Sequence, residues 1–147
     1  MVIKESIRIH APLPVVWSVF STLAEWNRWN TVCRDCCLVE GEGMAAGTCF
    51  SFSLRPYYLP VKITPRISRC DQGREVVWEG RRLGINARHS FTFQEEEGAV
   101  LLVSTEVFSG PLLWVSSLLG VPAKLHGLTR NLLSDIKRKC EGCGKIE

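Results

Sequence analysis

At 147 residues, with 46% hydrophobic and 22% charged side chains, the chain has the length of one domain spanning 1–147 and enough apolar material for a core, which excludes a disordered tail. The net charge of +3 comes from 18 basic and 15 acidic residues in no long block, the richest runs being Arg81-Arg82 and Lys137-Arg138-Lys139, so no nucleic acid is expected as a partner. No window approaches the roughly 18 apolar residues of a bilayer span, and Met1 leads into an alternating segment rather than a leader, so the expectation is a soluble, cytoplasmic protein with no integral membrane segment.

Residues 3–9 alternate Ile3, Glu5, Ile7 and Ile9 against Lys4, Ser6 and Arg8, the period of a first strand. Pro12 and Pro14 open a helix whose stripe is Val15, Val16, Val19, Phe20 and Leu23, and a second short helix covers Leu23 to Trp29. From there to Phe108 the pattern is that of an antiparallel meander, with strands at 33–40, 48–55, 61–70, 75–82, 87–95 and 99–108 separated by glycine- and proline-rich turns. Gly110-Pro111 stops the last strand. A long helix follows, its face marked by Leu118, Leu125, Leu128, Leu132, Ile136 and Cys140, with a kink or split expected at Gly120 and Pro122. The fold class is α+β, a seven-stranded antiparallel sheet wrapped around the C-terminal helix, which leaves a cavity between them.

Seven cysteines, an odd number without the spacing of a secreted disulfide framework, fit a reducing compartment. Cys33-Arg34-Asp35-Cys36 and Cys140-Glu141-Gly142-Cys143 are both C-x-x-C pairs, but they lie at opposite ends of the chain, far outside zinc-ribbon spacing. A redox pair wants a helix start after its first cysteine, whereas Cys140 closes a helix. No metal is expected.

Several segments resemble a known family. Ile7-Arg8-Ile9-His10-Ala11-Pro12, Val16-Trp17 and Trp26-Asn27-Arg28-Trp29-Asn30 look like the start of the SRPBCC superfamily, which includes polyketide cyclase/dehydrase-like and START-like lipid-transfer proteins. His89-Ser90-Phe91-Thr92-Phe93 and Glu106-Val107-Phe108-Ser109-Gly110 resemble its paired late strands and their exit turn. The resemblance implies the helix-grip fold, with a hydrophobic ligand tunnel between sheet and helix, and fixes no reaction.

The last hairpin yields candidate chemistry. If Glu97-Gly98 is a two-residue turn, Glu96 pairs with Ala99, His89 faces Glu106, Phe91 faces Ser104 and Phe93 faces Leu102. His89, Phe91, Phe93, Ser104, Glu106 and Phe108 then share the interior face, and His89 with Glu106 is the candidate acid–base pair. A satisfied histidine bonded to its cross-strand neighbour is the plainer reading. Phe50 and Phe52 alternate inward, Trp78 follows the phase of Val76, and Trp26 and Trp29 flank the cavity mouth, where their rings serve equally to plug a core. Trp114, Leu118 and Leu125 are expected to line the tunnel from the C-terminal helix. Arg81, Arg82 and Arg88 belong to a solvated outer face. Tyr57-Tyr58-Leu59, with Leu112, Leu113 and Val115, could gate the cavity or touch a membrane surface.

No serine–histidine–acid order, phosphate loop or metal cluster is legible, so no cofactor is expected. The leading expectation is binding of a hydrophobic small molecule, such as a lipid, polyketide or aromatic metabolite, with a homodimer left open. One alternative is a cyclase or dehydratase using His89. Another is a protein–protein module, such as a chaperone activator or toxin, working through the outer sheet face.

Overall fold

The computed structural model describes residues 1–56, 59–82 and 84–143, and every side chain within them except those of residues 116, 117 and 143. In β1 (Val2–Ile9) the alternating pattern becomes a two-faced strand, with Ile3 and Ile9 buried and Lys4, Ser6 and Arg8 exposed. α1 (Leu13–Ser21) carries Pro14 in its first turn, where the missing N–H has no helical acceptor to lose, and buries Val16 and Phe20. A 3-10 turn (Leu23–Glu25) then runs into α2 (Trp26–Trp29).

The meander comprises β2 (Arg34–Glu40), β3 (Cys49–Leu54), β4 (Val61–Ile63), β5 (Arg66–Asp71), β6 (Glu75–Arg82), β7 (Ile85–Glu96) and β8 (Ala99–Ser109). The segment expected as one strand at 61–70 is two. Pro65 has no N–H to give a ladder, and the chain leaves β3 after Ile63 and rejoins it at Arg66. The sheet therefore has eight strands, all paired antiparallel, in the order β1-β8-β7-β6-β5-β3-β2 with β4 on β3.

This order sets what gathers at each end. β3, β6 and β8 run in one direction, so their ends at Leu54, Arg82 and Ser109 meet at one end of the sheet, called the tip below. β1, β2 and β7 begin at the tip. Gly110 makes the close approach there: its φ is 121°, and a Cβ would collide with the carbonyl oxygen of Gly84. Gly110→Ala is expected to lower stability by at least about 2 kcal/mol, read as a shift of the urea midpoint.

The C-terminal segment splits as expected, into α3 (Leu113–Leu118) and α4 (Val121–Cys143), parted at Gly120 (φ 74°). α4 lies along β1 in the same direction. Glu5 Oε1 accepts from His126 Nδ1 at 3.1 Å and Arg130 Nε at 3.0 Å, while further along Lys137 Nζ donates to the Arg8 carbonyl at 2.6 Å and Glu141 accepts from the His10 N–H at 2.9 Å. The His126 and Arg130 hydrogen bonds hold the Glu5 carboxyl below its usual range.

The two halves of α4 pack unequally. Leu132, Leu133, Ile136 and Cys140 are buried against the sheet, whereas Leu125 and Leu128, nearer the tip, are only half-buried. Gly127 lies in this looser half, and a Cβ added there would meet no atom within 4 Å. Gly127→Ala should raise stability by about 0.5–1 kcal/mol in denaturant titration, since alanine loses less backbone entropy in a helix.

Candidate functional site

The β7–β8 hairpin has the expected register throughout: Glu96↔Ala99, Phe93↔Leu102, Phe91↔Ser104 and His89↔Glu106. Gly98 supplies the positive φ that the turn requires. His89, Phe91, Phe93, Leu102, Ser104 and Phe108 are buried on one face, with Glu106 among them at 18% side-chain exposure. The sequence shows no serine–histidine–acid order, yet pairing across the hairpin creates such a row. His89 Nε2 and Ser104 Oγ share a hydrogen bond of 2.6 Å, and His89 Nδ1 lies 3.6 Å from Glu106 Oε2.

A length of 3.6 Å is too long for a charge-assisted hydrogen bond. Burial accounts for this: it pushes the His89 pKa down to about 3 and that of Glu106 up to about 7, because neither charge can keep its hydration here. The pair is a neutral imidazole beside a carboxyl that retains its proton close to neutrality. Ser104 fixes the imidazole on one side, the ring of Phe91 stacks at 4.2 Å and the indole of Trp78 meets it edge-on at 5.4 Å.

The facing wall comes from the end of α2 and the start of β2. Asn30 Oδ1 accepts from the N–H groups of Val32 at 3.0 Å and Cys33 at 2.8 Å, the local turn that asparagine makes after a helix. Its Nδ2, in a residue only 6% exposed, has no hydrogen-bond partner. The Asn30 amide faces the sulfur of Cys33, a weak acceptor. Burial first, then the neighbouring Cys36 thiol, push the Cys33 pKa well above the thiol range, and Glu106 and Asp135 add to the effect. Asp135 ties this wall to α4, accepting from the Thr31 N–H at 2.8 Å and its hydroxyl at 2.7 Å. Cys36, its carbonyl and N–H both held by the Asn27 amide, is pushed up to about 11 by burial. On limited iodoacetamide treatment, among the cysteines with described side chains, exposed Cys37 should be modified first and Cys33 last, mapped by peptide mass spectrometry.

The remaining expected residues divide into three groups. Phe50, Phe52, Trp78, Phe91 and Phe93 do lie together inside, but they pack ring against ring around Phe20 and Trp26. Trp26, expected at the cavity mouth, is fully buried with its indole N–H on the Phe20 carbonyl at 2.9 Å, so it plugs the core. Trp29 packs beside it, half-buried. Trp114 and Leu118 do not line a tunnel: they are 64% and 77% exposed, because the break at Gly120 turns α3 away from the face that α4 presents to the sheet. Leu125 stays on the half-buried part of α4. Tyr57 and Tyr58 lie outside the described residues, as does the side chain of Cys143. Two concavities that are open to solvent lie elsewhere. One, of about 510 Å³, sits on the outer sheet face around Arg81, Arg88 and Val107; the other, of about 390 Å³, lies beside Trp17, Met44 and Cys70.

A sheet gripping a helix, with polar groups inside, can be compared with known proteins. Residues 1–141 match the family described as polyketide cyclase / dehydrase and lipid transport. The chain belongs to that family. Among solved structures, this polyketide cyclase/dehydrase family chain is similar to TTHA0849 from Thermus thermophilus, with a TM-score of 0.83 at 13% identity over 99% of this chain and 100% of the other. It is similar to the Zhui aromatase/cyclase from Streptomyces sp. R1128, with a TM-score of 0.78 at 11% identity over 96% and 93% of the two chains. Norcoclaurine synthase from Thalictrum flavum, in complex with dopamine and hydroxybenzaldehyde, aligns with a TM-score of 0.76 at 11% identity over 100% of this chain and 88% of that one. No curated protein matches the sequence. At these identities the likeness carries the fold alone.

Sequence reasoning missed Asn30, Cys33 and Asp135 as members of the inner polar group. The available signal was Asn30 itself, a short amide directly after the Trp26–Trp29 helix, where its carbonyl is committed to the turn and its NH2 is left over.

Proposed function

We propose that this protein binds an apolar small molecule bearing a carbonyl or hydroxyl oxygen, between the inner sheet face and the looser half of α4. The observation that carries this reading is the unpartnered Asn30 Nδ2. A buried donor without an acceptor costs about 1–3 kcal/mol, and a ligand oxygen removes that cost. The half-buried Leu125 and Leu128, above the Glu106 end of the hairpin, are where the wall can yield, since the aromatic cluster further in is tightly packed. The family description, which names both cyclases and lipid transport, supports the class.

The test is a fluorescence titration with prodan, an apolar naphthyl ketone whose emission shifts to the blue on leaving water. Saturable, blue-shifted binding is expected, weakened about tenfold or more in Asn30→Asp, which keeps the turn-making oxygen and removes the donor. Equal affinity in the variant would contradict the role of Asn30.

A second reading, catalysis, has its own observation: Glu106 holds a proton near neutrality beside a neutral imidazole. Such a pair suits dehydration of a cyclised poly-β-ketone chain: Glu106 gives a proton to the leaving hydroxyl and, as the carboxylate so formed, takes the proton from the adjacent carbon, so that water leaves, the double bond forms and Glu106 is restored, with His89 keeping it positioned. His89→Ala should then leave prodan binding nearly unchanged and abolish dehydrated product. Unchanged product would remove His89 from the mechanism.

A further inference from the structure

The tip is the most apolar exposed part of the molecule. Among the described residues, Leu59, Leu112, Trp114, Leu118 and Leu119 are exposed large hydrophobic side chains, between 46% and 77% accessible, and all lie in the loops and the short helix α3 that follow β3 and β8 at this end. Leu112 rests on Gly84, which joins the exit of β8 to the turn after β6.

The charge of the same end has one sign. The segments 55–62, 81–85 and 109–124 carry Arg55, Lys62, Arg81, Arg82 and Lys124, all exposed, and no aspartate or glutamate. The opposite end is of mixed sign: its turns carry Glu42, Asp71 and the Glu95-Glu96-Glu97 run with Arg74, and the end of α4 brings Lys137, Arg138 and Lys139 beside Glu141. Charge of a single sign is therefore a feature of the tip. Among the described residues no helix is long and apolar enough to cross a membrane, so an apolar tip ringed by cations suits a surface rather than a span.

We propose that the tip docks on an anionic lipid bilayer, with Trp114, Leu118 and Leu119 in the interface and the arginines and lysines against lipid phosphates. The cations of the tip orient the approach, since an anionic surface attracts them. Tryptophan and leucine partition into the headgroup boundary, and each nearby lysine or arginine adds an attraction worth about a fivefold change in partitioning. Docking in this pose also presents the looser half of α4 to the bilayer, which is where an apolar ligand would enter or leave. The inference goes beyond the ligand reading and stands without it.

The experiment is flotation of the full chain with vesicles of phosphatidylcholine alone and of phosphatidylcholine containing about 30% phosphatidylglycerol. Binding is expected on the anionic vesicles, at least about tenfold weaker on the neutral ones, and declining as salt is raised. The variant Trp114→Ser/Leu118→Ser/Leu119→Ser and the variant Arg81→Glu/Arg82→Glu should each lower partitioning about tenfold or more with unchanged circular dichroism, because every altered side chain is exposed. Equal binding to both vesicle types, or unaltered binding by either variant, would overturn the proposal. So would a wild-type dimer in sedimentation that the triple serine variant dissociates, with no vesicle binding, since a second copy would then cover the tip.

Discussion

Nitrogen NMR of His89 at about pH 6 is expected to report a neutral imidazole, and Glu106 is expected to keep its proton to about pH 7. The sign of the linked stability follows from where the proton sits. Unfolded, the histidine titrates near 6.5 and the glutamate near 4.5; folded, they titrate near 3 and 7. Between about pH 4.5 and 6.5 each state holds one proton on the pair, on His89 when unfolded and on Glu106 when folded, so the pair contributes no slope. Below 4.5 the unfolded chain takes a second proton that the folded one refuses until about 3, and stability falls with falling pH.

Single variants should unmask the two opposed terms. In Glu106→Gln, the depressed His89 alone remains, and stability should fall as pH drops from 6.5 towards 3. In His89→Leu, the raised Glu106 alone remains, and stability should fall as pH rises from 4.5 to 7. Each slope is about 1.4 kcal/mol per pH unit, measured by urea titration across the range. An imidazolium spectrum for His89 at about pH 6 would contradict this placement of the proton, because it would make the row an ion pair.

Phe20→Ala is expected to cost about 3–5 kcal/mol, among the largest losses of any single truncation in the chain. The Phe20 ring is the hub of the aromatic cluster, meeting Trp17, Trp26, Trp78, Phe91 and Phe93 at centroid distances between 4.8 and 6.5 Å. Removing it leaves a void lined by rings, which stays dry and accepts an apolar guest. The melting temperature of the variant should therefore rise with added benzene, while that of wild type should not. A benzene response of equal size in wild type would mean that the cluster is already open.

Much of this was legible in the sequence where one physical signal dominated. The hairpin register followed from the two-residue turn at Glu97-Gly98, since a one-residue slip would carry Phe91 and Phe93 into solvent. The split after α3 followed from Gly120 and Pro122. The break at Pro65 was missed because apolar alternation runs on through Val61, Ile63 and Ile67, and only the missing N–H interrupts it. Trp114 and Leu118 were misplaced for a related reason: their spacing continues the stripe of α4, but periodicity carries no information across a break that changes the helix direction. The inner wall of Asn30, Cys33 and Asp135 assembles from three distant segments. No local pattern announces a leftover amide.

The central claim is that a small molecule binds inside, and native mass spectrometry of freshly purified protein, compared with its denatured mass, tests it most directly. A mass excess in the native state that is lost on denaturation, and is reduced in Asn30→Asp, is the result expected. A native mass equal to that of the chain alone, together with no saturable uptake of prodan, would contradict the claim.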